Sequence, residues 1–279
     1  MADIAGSILL LLVFSPLVCL ILYLIYQLVL TVDLFLSLVS GRDAFNHFEL
    51  FPKQLPPSQE KILLKYFTYY KKLSDKKKLI FCSRVVRFIA SKEFETRKEL
   101  KLTEEMQVMI SASAVQLSFG LRNYIFPHFK RIIIYPEEFY STATKNYNRG
   151  EVNTRGVIVL SWKYFVKGYA VEDDRINLGL HEMAHALFIQ NLLVKSDIDM
   201  TFEKYFDEFR AKGTKAFWDI RKGKNTYIRK YAGTNLGEFF SVCVEYFFEV
   251  PKELKAKHPK LFRYLTKLLN QDPTKVLIN

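Results

Sequence analysis

The sequence predicts an α+β fold: a mostly helical domain with a small β-sheet, preceded by one N-terminal transmembrane helix. Three observations carry that expectation. Ile4 to Val32 holds no charged residue. Two short β-branched runs, RIIIYP (131–136) and GVIVLSW (156–162), are bounded by turn residues. Nearly everything else after residue 57 repeats its apolar residues at helical spacing. A small sheet among many helices is the α+β pattern.

In chain order, the uncharged run exceeds the roughly 20 apolar residues that cross a bilayer core, and tilt accommodates the excess. Its only early charge is Asp3, and no basic stretch leads it. That excludes a cleaved signal peptide and favours a retained anchor, residues 1–32. Pro16 lies mid-span, which a membrane helix tolerates. Lys and Arg appear only after the span, starting at Arg42, so the positive-inside rule places the following domain in the cytoplasm. The expected localisation is thus a single-pass protein of the cell membrane. Residues 33–49 read as a linker. The prolines of FPKQLPPSQE (51–60) stop any helix continuing from the span, and the domain is expected over 50–279.

Ser58 is a candidate N-cap for a helix with Ile62, Leu63, Tyr66 and Phe67 on one face. DKKKLIFCSRVVRFIAS (75–91) follows the same pattern, and KEFETRKEL (92–100) is short enough to be extended. TEEMQVMISASAVQLSFGL, from Thr103, has acids in its first turn and small residues later, as a buried helix would. Between the two predicted strands lies a polar loop, STATKNYNRGEVNTRG. Asp173 and Asp174 are candidate caps for the helix containing LGLHEMAHAL (178–187). Further helices are expected over 202–221, LGEFFSVCVEYFFE (236–249) and HPKLFRYLTKLLN (258–270).

The net charge of +12 raises nucleic acid as a partner, but no zinc-finger spacing or RNP-type strand accompanies it. Anionic lipid at the membrane surface is the simpler partner for the basic domain, with YYKKLSDKKKL (69–79) the densest patch. Three cysteines, Cys19, Cys82 and Cys243, sit in apolar segments with no CxxC pair. They read as free thiols in a reducing compartment, not as disulfides or metal ligands.

The chemistry concentrates in LGLHEMAHAL. His181 and His185 lie one turn apart on one helix face and can direct ring nitrogens at one metal ion. Glu182 is offset by one helical step, so it can reach a metal-activated water as general base. The flanking residues are uncharged, so the helix is expected to be buried. Unpartnered histidines there would cost several kcal/mol, roughly a few per group, which a metal would relieve. A third ligand must come from elsewhere. His47, His128 and His258 lie in linker- or surface-like stretches. Glu238 and Glu245, seven residues apart in an otherwise apolar helix, are the better candidates, and spacing alone does not choose between them.

YPEEF, GVIVLSW, LGLHEMAHAL and YAGTNLGEFFSVCVEYFFEVPKEL with the later NQDP together resemble the Mlc titration factor A (MtfA)-like zinc peptidases, from about Leu50 to Pro273. The resemblance implies a zincin-like metallopeptidase domain of gluzincin type, similar to the anthrax lethal factor catalytic domain. It further implies one Zn²⁺ per chain held by His181, His185 and Glu238, with Glu182 as base and a peptide or protein substrate. By the same resemblance Tyr231 faces the reacting oxygen and Glu245 supports the site as a structural acid. Two positions depart from the family pattern. Ala186, Leu187 and Phe188 replace a Lys-Leu-Asp run, and Asn235-Leu236 replaces an Asp-Pro. The function expected is zinc-dependent peptide hydrolysis at the membrane. The alternative is a non-catalytic zinc-stabilised regulator that binds a partner such as a transcription factor.

Overall fold

The computed structural model describes residues 2–40, 47, 49, 51–171, 173–194, 200–224 and 227–275. The chain divides into two compact units, Met1–Phe45 and Asn46–Asn279.

The first unit is helix α1 (Ala2–Ser40), with Pro16 inside it. Here the structure corrects the sequence reading. Among the described residues, no helix is long and apolar enough to cross a membrane. Pro16 lies inside the helix and Asp33 ends the uncharged run. The transmembrane helix, its contact with the bilayer and the single-pass membrane localisation are therefore not supported.

The second unit is a mostly helical α+β domain. It opens with α2 (Pro57–Tyr66), α3 (Thr68–Lys71) and α4 (Asp75–Ala90). Proline occupies the first position of α2 and Pro56 its N-cap, so Ser58 does not cap this helix. The missing N–H of Pro57 is no loss there, because the first helical N–H groups have no intrahelical acceptor. Strand β1 (Glu93–Thr96) realises the extended option for KEFETRKEL. Then comes α5 (Glu104–Ser118), buried along almost its whole length, with the Thr103 hydroxyl accepting from the Met106 N–H at 3.3 Å. Small residues let its neighbours approach closely. At its C-terminal end the buried Arg84 guanidinium donates to the carbonyls of Ser118, Phe119 and Leu121, which have no N–H donors further along the helix.

Five strands follow or flank the next loop: β2 (Arg131–Tyr135), β3 (Phe139–Ser141), β4 (Asn146–Asn148), β5 (Gly150–Asn153) and β6 (Val157–Ser161). The main sheet has the order β1-β2-β6-β5. Its first three strands are parallel, and β5 runs antiparallel to β6. β3 and β4 form a separate antiparallel hairpin. Half of the stretch read as a loop is thus strand. Residues of β4 and β5 are all exposed or only part-buried, so no apolar alternation marks them.

Helices α6 (Trp162–Ala170) and α7 (Leu178–Phe188) come next, and α7 runs directly into a π-helical segment, Ile189–Val194. Helix α7 starts later than Asp173 and Asp174 suggested. Asp174 instead accepts from the Ile176 N–H, and the Asn177 side chain caps α7 through the Leu180 N–H at 3.0 Å. The domain ends with α8 (Met200–Arg221), a 3₁₀ turn at Lys230–Gly233, α9 (Leu236–Glu249), α10 (Pro251–Lys257) and α11 (Pro259–Leu268). An aromatic cluster of Phe202, Phe206, Phe209, Phe239 and Phe240 fixes α8 on α9. Cys82 and Cys243 are buried free thiols. Helix α7 lies between α5 and α9 with β5 and β6 against it, which brings the HEMAH sequence under the sheet edge.

Candidate metal centre

Two helices supply the donors. His181 and His185 project from α7, and Glu238 from the first turn of α9. Asn235, at the position where the resembled family has aspartate, caps α9 by accepting from the Glu238 N–H at 3.0 Å, so the departure preserves the turn that aims this carboxylate. His181 Nε2 lies 3.1 Å from His185 Nε2 and 3.1 Å from Glu238 Oε2, and His185 Nε2 lies 3.3 Å from the same oxygen. Nitrogen and oxygen donors about 2.0–2.1 Å from a tetrahedral zinc would stand roughly 3.3–3.4 Å apart. The triangle therefore fits one zinc-sized ion with little adjustment.

Electrostatics agree with the spacing. Burial opposes a charge on His181, yet its hydrogen bonds with Glu238 and Glu245 prevail and lift its pKa from 6.5 to about 10. Burial also works against ionised Glu238, but the two histidines hold its pKa well below the usual carboxylate range. The donor set thus demands a positive charge at its centre, which a divalent cation provides.

Glu245 stands behind His181. It is 1% exposed and accepts from His181 Nδ1–H at 2.7 Å, which leaves His181 Nε2 bare toward the metal position. The same carboxylate accepts from the Asn177 N–H at 2.7 Å and from the Arg229 guanidinium. One side chain therefore holds the ligand ring, the start of α7 and the segment that carries Tyr231.

Glu182 is 5% exposed and turned from the donor triangle by one helical step. Burial raises its pKa, and Glu238 and Glu245 add to the rise against the opposing charges of His181 and His185. Gly150, the first residue of β5, lies over this carboxylate. A Cβ at position 150 would overlap the Glu182 side chain. That is a glycine required by close approach within a strand, and no pattern in the sequence marked it. Gly150→Ala is expected to lower turnover at least about tenfold, a loss of about 1.4 kcal/mol of transition-state stabilisation, with metal content unchanged. Unaltered kcat in steady-state assays would remove Gly150 from the site.

Tyr231 sits on the 3₁₀ turn, its ring centroid 6.2 Å from that of His181. It is half exposed, and burial followed by the nearby Glu238 charge raises its pKa above the ordinary phenol value. A cavity of about 480 Å³ opens over the centre, lined by His181, Glu182, Gly150, Tyr147, Tyr164 and Tyr231 among others. His47, His128 and His258 are held elsewhere: the first two bond the carbonyls of Phe119 and Thr154, and His258 stacks on Tyr227. Phe188, the other departure, packs on Phe206 and Phe240; an acid there would lie in that aromatic cluster.

One turn beyond Glu245, Glu249 is largely buried and neither carboxylate oxygen has a hydrogen-bond partner. Burial, then Glu245 and Asp174, push its pKa up to about 8, and the weak opposing help of Asn177 and the Arg175 backbone does not offset them. The folded chain therefore keeps a proton that the unfolded chain releases near pH 4.3. Its contribution is fully present below that pH and is lost as pH rises to about 8. Glu249→Gln is expected to stabilise the fold at pH 8 by about 1–3 kcal/mol, after allowance for the water that reaches the group. Thermal melts from pH 5 to 8 should show a flatter profile than wild type; a parallel profile would contradict this.

Fold and donor set together define a helical α+β domain built to hold a single metal ion beside a buried carboxylate in an open cleft. The chain belongs to the glucose-regulated metallo-peptidase M90 family, whose model matches residues 44–269. Among curated relatives, the Mlc titration factor A of Pectobacterium atrosepticum is 27% identical over 224 residues, covering 72% of this chain and 82% of the relative. That of Serratia proteamaculans is 24% identical over 200 residues, 62% of this chain and 72% of the relative. An uncharacterized Synechocystis protein, slr2042, is 26% identical over 241 residues, 81% of this chain and 88% of the relative. These matches bear out the MtfA-like resemblance.

Proposed function

We propose that this domain is a zinc-dependent peptidase that hydrolyses peptide bonds in peptide or protein substrates. The observation that carries the reading is the triangle of His181, His185 and Glu238 with Glu182 buried beside it. Zinc, when bound, supplies Lewis-acid polarisation of the scissile carbonyl and acidifies the attacking water. Glu182 takes the proton of that water and passes it to the leaving amine. Its raised pKa suits both transfers. The Tyr231 phenol donates to the carbonyl oxygen as negative charge builds on it. Glu245 keeps the His181 ring in one tautomer and orientation.

An extended substrate pairs with a sheet edge. Strand β6 is enclosed between β2 and β5 and offers no open edge. The outer strand beside α7 is β5, and its open edge passes over Glu182 at Gly150.

The relatives' name supports a second reading, in which the domain binds and titrates a regulatory protein without cutting it. Metal quantification followed by a cleavage profile over an unbiased peptide panel separates the two. Stoichiometric zinc with chelator-sensitive cleavage supports the peptidase. Stoichiometric zinc with no cleavage of any peptide favours the binding role.

A further inference from the structure

Helix α8 ends against the turn that carries Tyr231: a Cβ at Gly233 would lie 3.0–3.3 Å from backbone and side-chain atoms of Arg221. Along that end of α8, Lys215, Trp218 and Lys222 recur at helical spacing on one face. Arg221 lies beside them, its guanidinium 5.3 Å from the Trp218 ring centroid. Lys224 follows Arg221 by three residues, and Lys230 directly precedes Tyr231 in the chain. All of these side chains are exposed. From Gly213 to Gly237 the only acid is Asp219. Among the described residues, none of these five cations is held in an ion pair.

The helix dipole accounts for basic residues in the last turn of α8, but Lys215 and Lys230 lie outside that turn. Like charges gathered this closely repel one another, and an oppositely charged chain relieves the repulsion. The ridge also starts at the metal cleft, since Tyr231 lines the cavity over His181 and Glu182. From Lys215 to Lys222 it rises about 10 Å, the reach of about three extended residues.

We propose that this ridge is a docking surface for an acidic stretch of the substrate polypeptide, lying to one side of the bond presented to the metal centre. The inference rests on the peptidase reading for its occupant. Lysines and Arg221 pair with Asp and Glu side chains, and Trp218 covers their aliphatic portions. Opposite charge speeds encounter and selects the partner more than it adds affinity. The surface therefore chooses which proteins are presented, while the cleft tolerates many sequences at the bond itself.

Binding tests this apart from hydrolysis. The full chain carrying Glu182→Gln is titrated into a labelled Asp- and Glu-rich peptide of about twelve residues, and anisotropy is read. Raising salt from about 50 to about 300 mM should weaken binding at least about tenfold. The combined substitutions Lys215→Glu, Lys222→Glu and Lys224→Glu should weaken it by at least a further tenfold or so, and alanine at the same positions by less. Lys71→Glu, Lys76→Glu and Lys77→Glu, on the α3–α4 side, change net charge equally and should alter binding less than about twofold. Equal losses in the two charge-reversed sets would overturn the proposal in favour of net charge alone. So would a single-stranded oligonucleotide that binds as tightly through the same three lysines. Failure of the wild-type chain to cut any peptide would leave these affinities readable, so loss of the peptidase reading is separately visible.

Discussion

Glu182→Gln is expected to keep one metal per chain and to lose peptide hydrolysis by about a hundred- to ten-thousand-fold. The substitution preserves the shape that fits beneath Gly150 and leaves the donor triangle untouched. On the proposed mechanism, what it removes is the ability to accept the proton of the attacking water. It also removes a buried carboxylate whose ionisation burial disfavours, so thermal stability should stay equal or rise. Single-turnover kinetics and metal analysis on the same preparation check both halves. Cleavage at the wild-type rate would dismiss Glu182 as the base.

The second large effect separates the two glutamates of α9. Glu238→Ala removes one of three donors and should leave metal below about a tenth of an equivalent after dialysis against a weak chelator. Glu245→Gln should keep the metal but lower its affinity about 10–100-fold, the usual cost of losing a partner that orients a ligand. The glutamine still accepts from the His181 ring but no longer neutralises Arg229, which then stands unpaired beside the cleft. Chelator competition gives both affinities. The reverse order would make Glu245 the ligand and Glu238 its support.

Several parts of this arrangement were legible before the fold was known. Strands β2 and β6 stand out because the sheet interior selects β-branched residues, and α5 announces itself through Thr103 and its acidic first turn. His181 and His185 follow from helical spacing alone. The choice of Glu238 over Glu245 did not, since both lie on one face of one apolar helix. The structure separates them because Glu238 faces the two Nε2 atoms while Glu245 faces Nδ1 of His181. Gly150 and the hairpin before it were invisible, because close approach to a side chain from a distant helix leaves no periodic signal. The uncharged N-terminal run misled: among the described residues no helix is long and apolar enough to cross a membrane. The cap of α7 moved from Asp174 to Asn177 because the loop before it spends Asp174 on its own Ile176 N–H.

The three donors are unequally spaced along the chain. His181 and His185 arrive together, whereas Glu238 lies 53 residues after His185. Between them the ribosome must deliver the π-helical segment, all of α8 and the Tyr231 turn. A nascent chain that has emerged only through α7 therefore has two donors, no third, and no Glu245 to orient the first. It also lacks the helix against which α7 packs. The donor set is completed late in synthesis, when nearly the whole domain is out, so the growing polypeptide holds an unfinished metal centre for most of its time on the ribosome.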